Sequence, residues 1–393
     1  MMTPALLPAL LALVAWLWLL LAHDRFWQSG PELPPVPPPS PAPAPMPAID
    51  IIVPARNEAE TIGDALASLL AQDYPGRVRI LMVDDGSSDG TGAIARRLAE
   101  TAGHKTAGHE TESQGRLTVL AGSPTPPGWS GKLWALSQGI EHASSELLLL
   151  TDADIVHAPG HLAAMAAKAE AERLDLVSEM VALRCESLSE RALVPAFVFF
   201  FQLLYPFAAV NDPRRQVAAA AGGSILVRRD TLARAGGIAA IKGALIDDVA
   251  LARKIKPRGR IWLGHSRLAR SLRAYPDFGE IWRMIARTAF VQLRHSFLLL
   301  AGTVLGLGLI FLTPPAATLF AHGLARLAGF SAWVLSALLY VPTLRRFGRS
   351  LLWAPLLPPI ATFYLAATIG SAVDHWRGRG VVWKGRAYRG AQS

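Results

Sequence analysis

The sequence predicts an α/β domain, a mostly parallel sheet with helices on both faces, carried by membrane helices on either side of it. Three observations carry that expectation. Between residues 49 and 177 short apolar runs alternate with helical patterns. Long apolar runs lie at 5–22 and beyond 297. Hydrophobic residues make up 51% and charged residues 18%, with a mean hydropathy of +0.30, too apolar for an ordinary soluble enzyme and too interrupted by polar stretches for a pure membrane bundle. A chain of 393 residues has room for a catalytic domain of about 200 to 250 residues and more besides. The composition excludes disorder and collagen, and the single cysteine, Cys185, excludes a disulfide scaffold.

Taken in order, residues 1–30 read as an N-terminal anchor, because the run 5–22 is uncharged and close to the roughly 20 residues a spanning helix needs. A signal peptide is the alternative, but no Lys or Arg precedes the run. Residues 31–48 are proline-rich and read as a stiff extended spacer. Strands are expected at 49–53, 78–83, 117–120, 146–150 and 174–177, with helices at 58–71, 90–102, 133–143 and 160–172 between them. The catalytic domain is expected to run over 49–296. Apolar stretches at 297–320, 324–341 and 351–373 are each long enough to span or nearly span a bilayer. The middle one contains Arg326 and is the one expected to be interfacial or re-entrant. A basic tail, 374–393, follows.

Charge is divided unevenly. From Arg253 onward there are about 20 Lys and Arg against about 3 Asp and Glu, so the first 252 residues carry a net charge near −8. The basic residues flank apolar runs and do not alternate with stacking aromatics, which points to an anionic membrane surface and against nucleic acid.

In a parallel sheet ligands bind beyond the carboxyl ends of the strands, and here those ends are acidic. Strand one runs into Pro54-Ala55-Arg56-Asn57-Glu58, strand two into Asp84-Asp85-Gly86-Ser87, and strand four into Asp152-Ala153-Asp154. One acidic end is commonly a turn or a helix cap, and Ser88 or Asp89 is expected to cap the next helix. Three such ends gather like charges that a cation or a donor-rich ligand must hold. Asp-x-Asp after a buried strand can offer oxygens to Mg²⁺ or Mn²⁺ and leave coordination positions for phosphate. No G-x-G-x-x-G follows a strand, and Gly131-Lys132-Leu133 fails the Walker pattern, so dinucleotide oxidoreductases and P-loop ATPases are excluded.

With these motifs in this order, followed by a later acidic pair, the chain resembles the family 2 glycosyltransferases over about residues 49–290. The segment Gly128-Trp129-Ser130-Gly131-Lys132 and the flanking apolar helices are similar to those of membrane enzymes that glycosylate lipids, ceramide glucosyltransferases and above all the hopene-associated glycosyltransferases. The resemblance implies a GT-A fold and an inverting hexosyltransferase that uses a nucleotide-diphospho-sugar, Mg²⁺ or Mn²⁺, and a lipid acceptor.

It also implies roles. Pro54, Arg56, Glu58, Asp84, Asp85, Lys132, Asp152 and Arg287 would line the donor site, with Asp84 or Asp85 on the base or ribose. Asp152 and Asp154 would hold the metal, and Gly222 and Gly223 would form the acceptor loop. Asp248, beside Asp247, would be the base that takes the acceptor proton. Plainer readings stand beside these: a solvated lysine at a helix start for Lys132, a tight turn for the glycine pair, and two acids answering a helix dipole for Asp247-Asp248. One departure concerns the Gln/Arg-x-x-Arg-Trp motif of processive members, because Arg287 is followed by Thr288 where tryptophan is expected. A processive polysaccharide synthase is disfavoured on that ground. A polyprenyl-phosphate or ceramide-like lipid glycosyltransferase is the neighbouring alternative, and a non-catalytic membrane scaffold the alternative of another class. The expected location is the inner membrane, multi-pass, with the catalytic domain in the cytoplasm, where nucleotide sugars are made. The Arg345 to Arg349 cluster agrees with that orientation, whereas three spans would put the basic tail outside. The sequence carries no sign of oligomeric state.

Overall fold

The computed structural model describes residues 4–35, 46–106, 116–378, 382–383 and 386–387. Much of the proline-rich spacer and of the basic tail, including Arg379, Lys384 and Arg389, lies outside the described residues. The chain forms two compact units, neither continuous in sequence. One comprises Met1–Gly30, Arg184–Ala209 and Ala274–Val382, the other Pro31–Leu183, Val210–Arg273 and Trp383–Ser393. The stretch expected as one catalytic domain, 49–296, is therefore shared between them.

The second unit is built on an eight-stranded sheet: β1 (Ile49–Ala55), β2 (Val78–Asp84), β3 (Leu117–Ala121), β4 (Leu147–Thr151), β5 (Ile155–His157), β6 (Leu176–Ala182), β7 (Ser224–Arg228) and β8 (Ile261–Ser271). Their order is β3-β2-β1-β4-β7-β6-β8-β5. The half β3-β2-β1-β4 is parallel, as is β6 with β8. Between them β7 runs antiparallel to both β4 and β6, and β5 runs antiparallel to β8. The sheet is thus mixed, with its parallel part where the acidic strand ends are.

Alternation along β1 explains why helices cover both faces. Ile49, Ile51 and Val53 are buried with Ile62, Leu66 and Leu69 of the helix Ile62–Leu70, while Ile52 points the other way. There it meets the helix Gly131–Glu141, whose Gly139 lies so close that an added Cβ would come 2.5 Å from the Ile52 side chain. Parallel register sets Ala55 opposite Asp84, so the loops after β1 and β2 leave the sheet side by side. At the other end of β1 the buried Asp50 carboxylate accepts from Arg79 and from the amides of Ser144 and Ser145, which ties down the β1 entrance.

The first unit is helical. Three helices, Phe297–Phe320, Gly323–Arg346 and Leu351–Trp376, are long and apolar enough to cross a membrane. Arg326 lies in the first turn of the second, where its long side chain can reach an interface, which removes the reason for singling that helix out as interfacial. The helix Leu6–Leu21 has 16 residues, about 24 Å, short of the roughly 30 Å hydrocarbon core.

Proline shapes this unit. Pro314 has no N–H for the carbonyl of Ile310, and the helix loosens into a π turn at Gly308–Leu312. The Trp16 indole donates to that carbonyl at 2.7 Å and packs edge-on against Phe311. The helix Leu188–Leu204 begins with a capping box, Ser187 and Glu190, and buries Phe199 against Phe26 and Tyr340. That packing is why this aromatic segment joins the helical unit although it lies between two strands of the sheet. Burial pushes the Cys185 thiol up to about 11, despite the offsetting charge of Arg349, and leaves it inert as a nucleophile.

Candidate active site

Four segments of the sheet unit meet around one ammonium group. Ser130 caps the helix Gly131–Glu141 by accepting from Leu133 N–H at 3.2 Å, which places Lys132 in the first turn. Its Nζ lies 2.8 Å from Asp152 Oδ1, just past β4, and 3.0 Å from Asp247 Oδ2 at the start of the helix Asp247–Ile255. Gly222 closes the fourth side. A Cβ there would sit 3.3 Å from Asp248 Oδ2 and 3.6 Å from Lys132 Nζ, so a larger residue would crowd both. A cavity of about 20 Å³, room for one water, opens among Pro54, Lys132, Asp152, Gly222, Asp247 and Asp248.

The electrostatics follow from this crowding. Burial pulls Lys132 down, but Asp152 and Asp247 outweigh it and hold the ammonium firmly charged. Desolvation raises Asp152, Lys132 opposes, and the neighbouring charges of Asp154 and Asp247 add to the rise. Asp248 is pushed up to about 7, first by desolvation and then by Asp247, with Lys132 and the amides of Val249 and Gly222 pulling the other way. A carboxylate near 7 is placed to accept a proton at neutral pH and to release it again.

Residues 50–235 match the family model described as "Glycosyl transferase family 2". That stretch, just under half of the chain, is similar to the family 2 glycosyltransferases. Over 108 residues the chain is 34% identical to a 4,4'-diaponeurosporenoate glycosyltransferase of Staphylococcus aureus (strain USA300), an overlap of 28% of this chain and 24% of that protein. It therefore spans about a quarter of the length of that relative. Among solved structures it is similar to a mannosyltransferase from Pyrobaculum calidifontis in complex with GDP-Man and Mn2+, at TM-score 0.55 and 22% identity, covering 95% of this chain and 99% of that one. That likeness establishes a shared GT-A type fold.

The remaining expected residues divide into groups. Asp84 accepts from Ser87 N–H at 2.9 Å and shapes the turn after β2, where an added Cβ on Gly92 would come 2.2 Å from its other oxygen. Arg56 reaches across to the carbonyls of Asp85 and Gly86, and Asp85 is buried. Asp89 accepts from the amides of Ala59 and Thr91, one residue ahead of Gly90, whose carbonyl accepts the first bond of the helix Thr91–Thr106, so the expected cap is a side-chain turn just before the helix. Glu58 and Asp154 meet on Arg273, at 3.1 and 3.2 Å, and Ser271 also donates to Asp154 at 3.0 Å. Arg287 belongs to the helical unit, at the end of the helix Phe278–Ala286, and its side chain is exposed.

For a divalent cation the donor chemistry fits. Asp152 and Asp154 are hard oxygen ligands, the Asp154 charge adds to the cost of ionising Asp152, and Asp152 keeps about a third of its side chain (35%) open to solvent. Asp154 is the more committed of the two, through Arg273.

Sequence reasoning missed Arg273, because it stands two residues past β8, a strand whose polar residues hide its period. It also missed a buried group formed by His157, His161 and Glu179. The i, i+4 spacing of the two histidines was the available signal.

Proposed function

We propose that this protein transfers a sugar, with inversion, from a nucleotide-diphosphate donor to the hydroxyl of a membrane lipid. The observation that carries the proposal is the set Lys132, Asp152, Asp247 and Asp248 packed against Gly222 at the carboxyl edge of the sheet. Asp248 is the base. Its carboxylate, raised to about 7, takes the proton of the acceptor hydroxyl as the hydroxyl oxygen attacks the anomeric carbon from the side opposite the leaving diphosphate. Gly222 leaves room for the sugar or acceptor beside that carboxylate. Lys132 balances the acids at rest and is free to turn toward phosphate when a donor enters. Asp152 and Asp154 would hold Mg²⁺ or Mn²⁺, which when bound would supply positive charge toward the diphosphate. Arg56, Asp84 and Asp85 frame the nucleoside end, Glu58 braces that region through Arg273, and Arg287 is proposed to neutralise the leaving phosphate.

The membrane lipid acceptor is supported by the three apolar helices and by the name of the S. aureus relative. An acceptor of hopanoid type rests on the sequence resemblance alone. The proposed organisation remains a membrane-anchored enzyme of the inner membrane with its sheet unit facing the cytoplasm.

Membranes containing the full-length protein, incubated with radiolabelled UDP- and GDP-sugars and Mn²⁺, should label a lipid-extractable product that mass spectrometry identifies. Labelled product equally abundant in membranes lacking the protein, or absent from both, would sink the proposal. For orientation, the loop 103–114 lies largely outside the described residues, so the exposed Glu141 is the position chosen for a reporter cysteine. A cysteine there should resist an impermeant reagent in intact cells.

A further inference from the structure

Beneath the site five side chains are at least 97% buried and joined in series: Thr151 at the end of β4, His157 at the end of β5, His161 at the start of the helix His161–Glu172, Glu179 within β6, and Ser224 beside them. Thr151 Oγ1 is 2.8 Å from the carbonyl of Gly223 and 3.1 Å from His157 Nε2. His157 Nδ1 is 3.2 Å from His161 Nδ1, and His161 Nε2 is bound to Glu179 Oε1. Ser224 Oγ lies 3.4 Å from the same His161 nitrogen. Three of these side chains are metal-ligand types whose ligand atoms lie within 4.8 Å of one another, and the hydrogen bonds between them define a second arrangement that needs no ion.

The bonds have one consistent direction. A carbonyl only accepts, so the single Thr151 proton goes to Gly223 and the hydroxyl must accept from an N–H on His157 Nε2. Burial and the neighbouring His161 hold His157 neutral, so its Nδ1 is bare and accepts from an N–H on His161 Nδ1. One proton then remains between His161 Nε2 and Glu179. The last carbonyl reached belongs to Gly223, and the amide of the adjacent Gly222 donates to Asp248.

We propose that Glu179, His161, His157 and Thr151 are positioning residues, a one-way hydrogen-bond chain from the core that fixes the Gly222–Gly223 loop against Asp248. The proposal rests on the reading of that loop and of Asp248 as the acceptor side of the site. Misplacing such a loop by about 1 Å can cost on the order of 100-fold in rate.

The test has two arms. The first needs no substrate: ¹⁵N-histidine NMR of the full-length protein in detergent, with His157 assigned by its response to Thr151→Val. His157 should be neutral with its proton on Nε2, and His161 should carry a proton on Nδ1. A proton on His157 Nδ1, or a ring ¹⁵N shift diagnostic of a nitrogen bound directly to added Zn²⁺, would overturn the chain and leave the proposed function standing. The second arm compares Thr151→Val with Thr151→Ser. The valine variant should lose roughly 100-fold in kcat for lipid labelling while its affinity for UDP or GDP with Mn²⁺ stays within about twofold, and serine should restore most of the rate. Unchanged kcat in Thr151→Val, or equal losses of nucleotide affinity and rate, would reduce the chain to a structural role and refute the proposal. Correct tautomers in a wild-type protein that labels no lipid would instead condemn the functional reading.

Discussion

Two clusters of ionisable groups meet the chain at adjacent positions, Asp152 in one and Thr151 in the other, and behave in opposite ways. Around Lys132 the acids Asp152 and Asp247 are a fifth to a third exposed and reach the ammonium from two different elements. Around His161 the groups are sealed from water, and each hydrogen bond determines the direction of the next. A cluster with solvent access and a base near pH 7 can exchange protons with a substrate, whereas a closed chain can only hold geometry. The difference teaches that burial, more than residue type, separates chemistry from support here. Glu179 and Asp248 are both carboxylates, yet only Asp248 lines the cavity.

The strongest way to break this comparison is Asp248→Asn. Transfer should fall by about 10²- to 10⁴-fold while nucleotide-sugar binding, measured by calorimetry, stays nearly unchanged. Normal turnover would remove Asp248 from the role of base, and lost donor binding would move it to the donor side. Next in size, Asp152→Ala and Asp154→Ala should each weaken Mn²⁺ and donor binding together, by roughly 10- to 100-fold. Full activity of a metal-free preparation in excess chelator would exclude the cation and leave the diphosphate to Lys132 and Arg287.

Lys132→Met should cost about 10-fold or more in donor affinity, since a charge-assisted contact contributes roughly 1.5 to 3 kcal/mol. It should also move the pH profile. In the wild type kcat/KM should rise as pH passes about 7, when Asp248 loses its proton, and without Lys132 that limb should shift to higher pH. The same titration acts on stability with a definite sign. Asp248 binds its proton more tightly folded than unfolded, so its contribution is complete below 3.8 and is lost as pH rises toward about 7. Asp248→Asn should flatten both dependences. The smallest effect is expected from Arg273→Met, which leaves Glu58 and Asp154 without their shared partner and should lower Tm by a few degrees at near-normal kcat.

Legibility followed local pattern. The first four strands were readable to within one or two residues because each is a short apolar run, and their carboxyl ends announced Asp84, Asp85, Asp152 and Asp154 as a group. The next strand was expected to stop at 177, but β6 continues through Ser178 and Glu179 to Ala182. Glu179 broke the apolar pattern because its partner, His161, comes from a helix, and periodicity cannot register a long-range pair. β8 was overlooked for a similar reason, and with it Arg273. The proposed base was legible only as one of two adjacent acids.

What the sequence determined by itself is the set of local choices: strand and helix alternation, three apolar helices, a lysine at a helix start and acids at strand ends. These depend on periods of two and 3.6 and on neighbours in the chain. What the tertiary structure decided is pairing across the sheet. Inserting β7 antiparallel beside β4 sets Ser224 against Thr151 and so carries Gly222 and Gly223 to Asp152, about 70 residues away in sequence. That register turns separated polar residues into an open site above and a sealed chain beneath, because desolvation and direct contact are properties of the packed sheet and not of any one segment.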